Sequence, residues 1–480
     1  MKRSLVSTLS IIALAFAITL PGCGGSAGGG SNPPPPQPPV IASVQPTAGT
    51  LGVAYPAFSF TATGGAPPLT WSETGALPDG MSFSDAGVLS GTPAASGGFP
   101  IIVMVQDSGG RNAAPLDCTI EISGAAQVLN METPRTLHTA TLLNTGNVLV
   151  AGGNDDNHSA LATAELFDPS ASTFTSTGSM AASRAAHTAV ALAAGNVLVA
   201  GGLNGNIVLA SAELFDPSSG TFSPAGAMNA ARFDHTATVL QNGTVLITGG
   251  QDAGGDSLAS AELFDPVAGT FTLTMSMNVA RAQHTATLLQ SGKVLVTGGR
   301  GPGGNALDSA ELFDPAAGTF TLTNNMSTAR IAHTATQLQN HTVVIAGGTD
   351  GVGDAFASAE IFDPAAGTFT PTGSMTIDRF AHTATLLADG TVRVAGGDKL
   401  VLGSCGINCE TGFPESLAST EIFNPASGTF SPAADMEIER ASHTASLLGS
   451  GQVLVTGGVF SRLQGRQDLS AVLSSAERLQ

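Results

Sequence analysis

From residue 135 to 480 the chain repeats one hydrophobic–polar pattern. The stretch from His187 to Met228 reads HTAVALAAGNVLVAGG, then a short polar loop, then ASAELFDPSSGTFSPAGAM. It predicts four short strands: His187 to Leu192, Asn196 to Ala200, Ala212 to Asp216 and Thr221 to Ser223. Gly195 marks a turn between the first two. Asp216-Pro217-Ser218-Ser219-Gly220 marks a turn between the last two, because proline presets φ and glycine accepts a positive one. No run is long or periodic enough for a helix.

The pattern recurs with its leading histidines at His138, His187, His235, His284, His333, His382 and His443, at spacings of 49, 48, 49, 49, 49 and 61. A four-stranded unit this small cannot bury its own faces, so successive copies must stack. A closed ring leaves no long exposed edge. The first run of each copy carries small residues, as the inner strands of a ring require, and Phe215 and Phe222 fill the wider outer part. The seventh copy stops after its third run, Ser475 to Leu479, while Gln127 to Met131 stands as an orphan fourth run before the first copy. The N-terminal strand is therefore expected to complete the last sheet.

These features resemble the kelch motif of kelch and galactose-oxidase-type propellers: a double glycine after the second run, an acidic-Pro turn, an aromatic, then Met and Arg before the next histidine. The double glycines run from Gly152-Gly153 to Gly457-Gly458. The resemblance implies an all-β protein, a seven-bladed kelch-type β-propeller over residues 124–480, closed by the strand near 127–131. The chain departs from the family in using Phe, as at Phe167 and Phe174, for the usual Tyr and Trp. Its one tyrosine, Tyr55, lies outside the repeats, which argues against copper-radical and sialidase chemistry.

Ahead of the repeats, Lys2 and Arg3 precede an apolar run from Leu5 to Leu20, ending in Leu20-Pro21-Gly22-Cys23. This resembles a bacterial lipobox, and implies a signal peptide at 1–22 and a lipid on Cys23. Gly24 after the cysteine favours an outer-membrane or surface address. Residues 23–39 are a Gly-rich then Pro-rich tether. Residues 40–123 predict strands at Phe58 to Thr63, Leu69 to Ser72, Ile101 to Gln106 and Leu116 to Ile122. The stretch from Ala76 to Pro93, with Asp107-Ser108-Gly109-Gly110, resembles bacterial Ig domains related to cadherin and dystroglycan modules. It implies a small Ig-like β-sandwich with Trp71 in its core.

Charge narrows the function. With 17 basic against 36 acidic residues, the net charge is -19. Seven of the basic residues sit in one repeated slot, so nucleic acid is excluded as a partner and membrane contact is left to the lipid anchor. Cys118 is expected as a buried thiol, and Cys405 and Cys409 as a local disulfide in an exported protein.

Three sets of residues could carry chemistry. The first is the repeated triplet: Arg135, His138 and Glu165; Arg184, His187 and Glu213; Arg232, His235 and Glu262; Arg281, His284 and Glu311; Arg330, His333 and Glu360; Arg379, His382 and Glu421; Arg440, His443 and Glu477. An active site is singular and this device is periodic, so buried Arg–Glu pairing and histidine bonds between copies are expected. The second is acidic loop residues, Asp155, Asp156, Asp252, Asp256, Asp350, Asp354 and Asp398, which could hold a structural calcium; no calcium motif is present and no other cofactor is expected. The third is the loop between the second and third runs. From the second glycine to the repeated Glu it spans 12, 11, 12, 12 and 12 residues in five copies, then 24 and 19 in the last two. A regular ring needs no insertion to fold, so binding is expected there, at Asp398, Glu410, Phe413, Glu415, Phe460, Arg462 and Arg466. The resulting expectation is a monomeric, lipid-anchored extracytoplasmic binding or scaffold protein for a protein or glycan partner. The alternative is a carbohydrate-active enzyme, for which Asp398, Glu410, Glu415 and Asp468 are the acidic candidates.

Overall fold

The computed structural model describes residues 37–43, 45–50, 53–94, 97–123, 127–402, 412–464 and 467–480. They are almost entirely strand and turn; one short 3-10 turn spans Pro302–Gly304.

The N-terminal unit has a four-stranded sheet in the order Gly49–Thr50, Leu116–Ser123, Gly97–Asp107, Leu69–Gly75, and a three-stranded sheet of Tyr55–Ser59, Val88–Gly91 and Met81–Phe83. Alternation places Cys118, Ile120 and Ile122 inward, beside Ile101, Val103 and Val105 from the neighbouring strand. Trp71 is 7% exposed and belongs to this core. The expected strand from Phe58 to Thr63 is broken. Tyr55–Ser59 pairs with Val88–Gly91, and Ala62–Thr63 pairs with Val40–Ile41. Phe60 makes the switch, its side chain buried and its N–H bonded to the Gly87 carbonyl.

Each of the first six repeats folds into an antiparallel sheet in sequence order. In the second copy the strands are Thr188–Ala191, Val197–Ala200, Ser211–Asp216 and Thr221–Ala227. The second strand is buried on both faces, and Val197 stands opposite Phe215, which in turn stands opposite Phe222. The two phenylalanine rings are 4.9 Å apart, and the same pair recurs in the first six copies. The last sheet joins both ends of the region, in the order Gln127–Asn130, Ser475–Leu479, Val453–Thr456, Thr444–Leu447. The first strand of each sheet lies beside the first strand of the next, and that of the seventh beside that of the first.

The double glycines have a steric cause. Gly249 has φ +60, and a Cβ there would stand 2.3 Å from the Arg281 carbonyl of the next copy. Gly250 has φ +95, and its Cβ would stand 2.6 Å from the Phe233 carbonyl of its own copy. The chain turns between two backbones that leave room only for hydrogen. Gly249→Ala is expected to lower stability by about 2 kcal/mol or more. A urea midpoint unchanged from the parent would contradict that.

Candidate functional site

The repeated charges are buried and paired. In the fourth copy Arg281 Nη2 lies 2.9 Å from Glu311 Oε1, and Arg281 Nη1 donates to the carbonyls of Gly298 and Ser309 at 2.7 and 3.1 Å. Glu311 in turn accepts from the backbone N–H of Asn278 at 2.7 Å and of Val279 at 3.0 Å. A guanidinium with a rigid fork can satisfy several carbonyls and a carboxylate at once, which makes such burial tolerable. The other six pairs have N–O distances of 2.6–3.1 Å.

Each histidine reaches back to the previous copy. His284 Nε2 is 3.0 Å from Thr236 Oγ1 and 3.2 Å from Thr248 Oγ1, and His138 meets Thr444 and Thr456 of the seventh copy at 3.1 and 3.0 Å. Burial, reinforced by the adjacent arginine, holds His138, His187, His333 and His382 down at about 3. The same causes push His235, His284 and His443 well below the ordinary value. These imidazoles stay neutral at pH 7 and are engaged with threonine hydroxyls.

The acidic loop residues act as turn caps. Asp155 Oδ1 accepts from Asn157 and Ser159, Asp252 Oδ1 from Gly254 and Asp256, and Asp350 Oδ1 from Val352, Gly353 and Asp354. Asp156 Oδ1 accepts from Val472 N at 2.9 Å and so ties the first copy to the seventh. Among the described residues no group of three or more His, Cys, Asp or Glu could hold a metal ion.

The two long loops form β-hairpins. The sixth copy pairs Asp398–Leu402 with Gly412–Ser416, and the seventh pairs Val459–Gln464 with Gln467–Val472. The hairpins lie against each other through Ser416, whose Oγ donates to Asp398 Oδ1 at 2.8 Å and accepts from Ser461 N at 3.0 Å. Burial raises the Asp398 carboxyl to about 6, with the Ser416 bond opposing the shift. Phe413 and Phe460 are half-buried. Glu415 faces Lys399 at 3.8 Å, and Arg462, exposed, stands 3.9 Å from Glu439. Asp468 lies opposite Leu463. Cys23, Cys405, Cys409, Glu410 and Arg466 lie outside the described residues. Cys118 is a buried free thiol.

A second polar cluster sits at the inner end of the sheets, at the same strand ends as the hairpins. The residue before each repeated histidine is Leu137, Ala186, Asp234, Gln283, Ala332, Ala381 or Ser442, and each has φ between 50° and 53°. A backbone chain links them: Ala186 N donates to Leu137 O, Asp234 N to Ala186 O, Gln283 N to Asp234 O, and so on to Ser442. Two adjacent members carry strongly polar side chains, and Gln283 Nε2 donates to Asp234 Oδ2 at 3.0 Å. Burial raises the Asp234 carboxyl to about 6, while the Gln283 bond and the charge of Arg300 lower it. Arg300 follows a double glycine in the fourth copy. Its buried Nε has no hydrogen-bond partner. Its guanidinium forms no ion pair among the described residues, unlike the seven repeated arginines. Sequence reasoning passed over this cluster because it favoured the insertions. The signal was a break in the repeat: acid and amide in a column that elsewhere holds Leu, Ala or Ser, and an arginine in a column that elsewhere holds Asn, Leu, Gln, Thr, Val and, in the sixth copy, Asp398.

The comparisons with known proteins fit this architecture. The "Putative Ig domain" family matches residues 33–123, and the "Kelch motif" family matches 184–229 and 232–278. No curated protein matches the chain. Among solved structures, a fungal alcohol oxidase of the AA5 family in complex with copper is similar in fold, with a TM-score of 0.57 and 17% identity over 74% of this chain and 75% of that one. The chain carries an N-terminal Ig-like domain followed by a kelch-repeat region.

Proposed function

We propose that the seven sheets are the blades of one closed kelch propeller, and that its hairpin-bearing face binds a glycan. The observation that carries this reading is the cluster of Asp234, Gln283 and Arg300. No other copy combines these residue types at these positions: an acid bonded to an amide feels the charge of a guanidinium that has no ion-pair partner among the described residues. Sugar hydroxyls both donate and accept, so such a pair suits them. The joined hairpins of the sixth and seventh copies would wall one side of the mouth. The sequence of residues 1–23 supports export and lipid anchoring at Cys23, with the Ig-like domain as a spacer between membrane and propeller.

A second reading is catalysis on a carbohydrate at the same face. The fold likeness to an alcohol oxidase favours it, as do two carboxyls raised to about 6, Asp234 and Asp398. A carboxyl tuned toward neutrality is suited to proton transfer. Copper-radical chemistry does not fit these residues. The one tyrosine lies in the Ig-like domain, and the repeated histidines bond threonines.

A glycan array probed with the full chain tests both readings. We expect the parent to capture a defined set of glycans, and Arg300→Met and Asp234→Asn to lose at least tenfold in signal without loss of folding. Product formation from the captured glycans would favour the enzyme. Equal capture by parent and variants would remove the inner cluster as the site.

A further inference from the structure

Grooves recur between neighbouring copies at the opposite strand ends, where the tight turns lie. Those between the third and fourth and between the fifth and sixth copies have volumes of about 370 Å3. The groove between the fourth and fifth is larger, about 420 Å3, and chemically different. The turn between first and second strands carries glycine in six copies, among them Gly292 and Gly390; the fifth carries His341, at φ 69. Glutamines lie over two of these glycines, Gly292 and Gly390. Gln241 Nε2 donates to Gln290 O at 3.1 Å across Gly292, and Gln339 Nε2 donates to Ala388 O at 3.2 Å across Gly390. A Cβ at either glycine would stand 2.9 Å from the covering glutamine oxygen. His341 puts a side chain there, and the Gln290 amide makes no corresponding bond. Lys293, in a slot that is Asn, Thr or Gln in every other copy, lines this groove and also the one between the third and fourth copies. Lys293 is 44% exposed and pairs with Asp314 at 3.1 Å.

We propose that this groove binds a carboxylate-bearing sugar residue. Lys293 and His341 face the carboxylate, the Gln290 amide and Asn340 Nδ2 take hydroxyls while Asn340 Oδ1 is held by Thr342 N and Oγ1, and Leu289 and Leu312 receive the apolar face of the ring. The protein carries a net charge of -19 and three lysines in all, and this groove joins one of those lysines to a histidine, with Asp363 also in its lining. The site is separate from the one proposed above, at the other strand ends.

The test is calorimetric titration of the full chain with trigalacturonate and with its neutral methyl ester. The acid is expected to bind and the ester to bind at least tenfold more weakly. Lys293→Gln is expected to weaken the acid tenfold or more. His341→Gly restores the glycine of the repeat, so folding is not at risk; it lets Gln290 bond across the turn and should abolish binding. Arg300→Met should bind like the parent. No binding at millimolar acid, equal binding of the ester, parent-like binding by His341→Gly, or loss in Arg300→Met would each overturn the proposal.

Discussion

Between pH 7 and pH 5 the folded protein is expected to lose most of its stability. The cause is the set of buried histidines. In the unfolded chain each takes a proton near 6.5, whereas in the folded chain His138, His187, His333 and His382 resist protonation down to about 3. A depressed histidine value means that the unfolded state binds more protons across this window. Stability is therefore full above 6.5 and falls as the pH drops toward 3. At pH 5 each of these four costs about 2 kcal/mol relative to neutral pH. His235, His284 and His443 act in the same direction. Asp234 and Asp398 oppose the trend, because their raised values let the folded chain take protons between about 6 and 3.8. Two such groups cannot offset seven, and domains typically hold only about 5–15 kcal/mol in all. Urea midpoints measured from pH 8 to pH 4.5 should fall steeply below 6.5. A flat profile would mean that the histidines are not buried neutral.

Arg281→Met should cost about 3–5 kcal/mol, far more than a surface arginine. The substitution removes the ion pair to Glu311 and the bonds to the carbonyls of Gly298 and Ser309. The larger part of the loss is the Glu311 carboxylate left buried without its counter-charge. Adding Glu311→Gln should recover part of the loss, because the buried charge disappears while the amide oxygen still accepts from one of the two N–H groups, of Asn278 or Val279, that bond separate carboxylate oxygens. A double-mutant cycle on urea midpoints measures the coupling. Additive losses would show that the two side chains do not act as a unit.

Much of the fold was legible because the repeat states it seven times. The histidine spacing, the double glycines and the acidic-Pro turns mark the strands of every copy, and the orphan run at Gln127 to Met131 pointed to its pairing with Ser475–Leu479. The site was less legible. Loop length singled out the sixth and seventh insertions, but composition did not show that they are hairpins joined at Ser416. Asp234 and Gln283 are 49 residues apart, and their contact exists only because successive copies bring equivalent positions side by side. The break between Phe58 and Thr63 was also hidden, because a run of strand-forming residues does not say which sheet each half will join.

The most direct measurement on the central claim is a titration of one captured glycan against the parent chain and Arg300→Met. Arg300 makes no ion pair among the described residues, so folding should not change while affinity falls at least tenfold. A variant that binds as tightly as the parent, with the same melting temperature, would contradict a glycan site at the cluster of Asp234, Gln283 and Arg300.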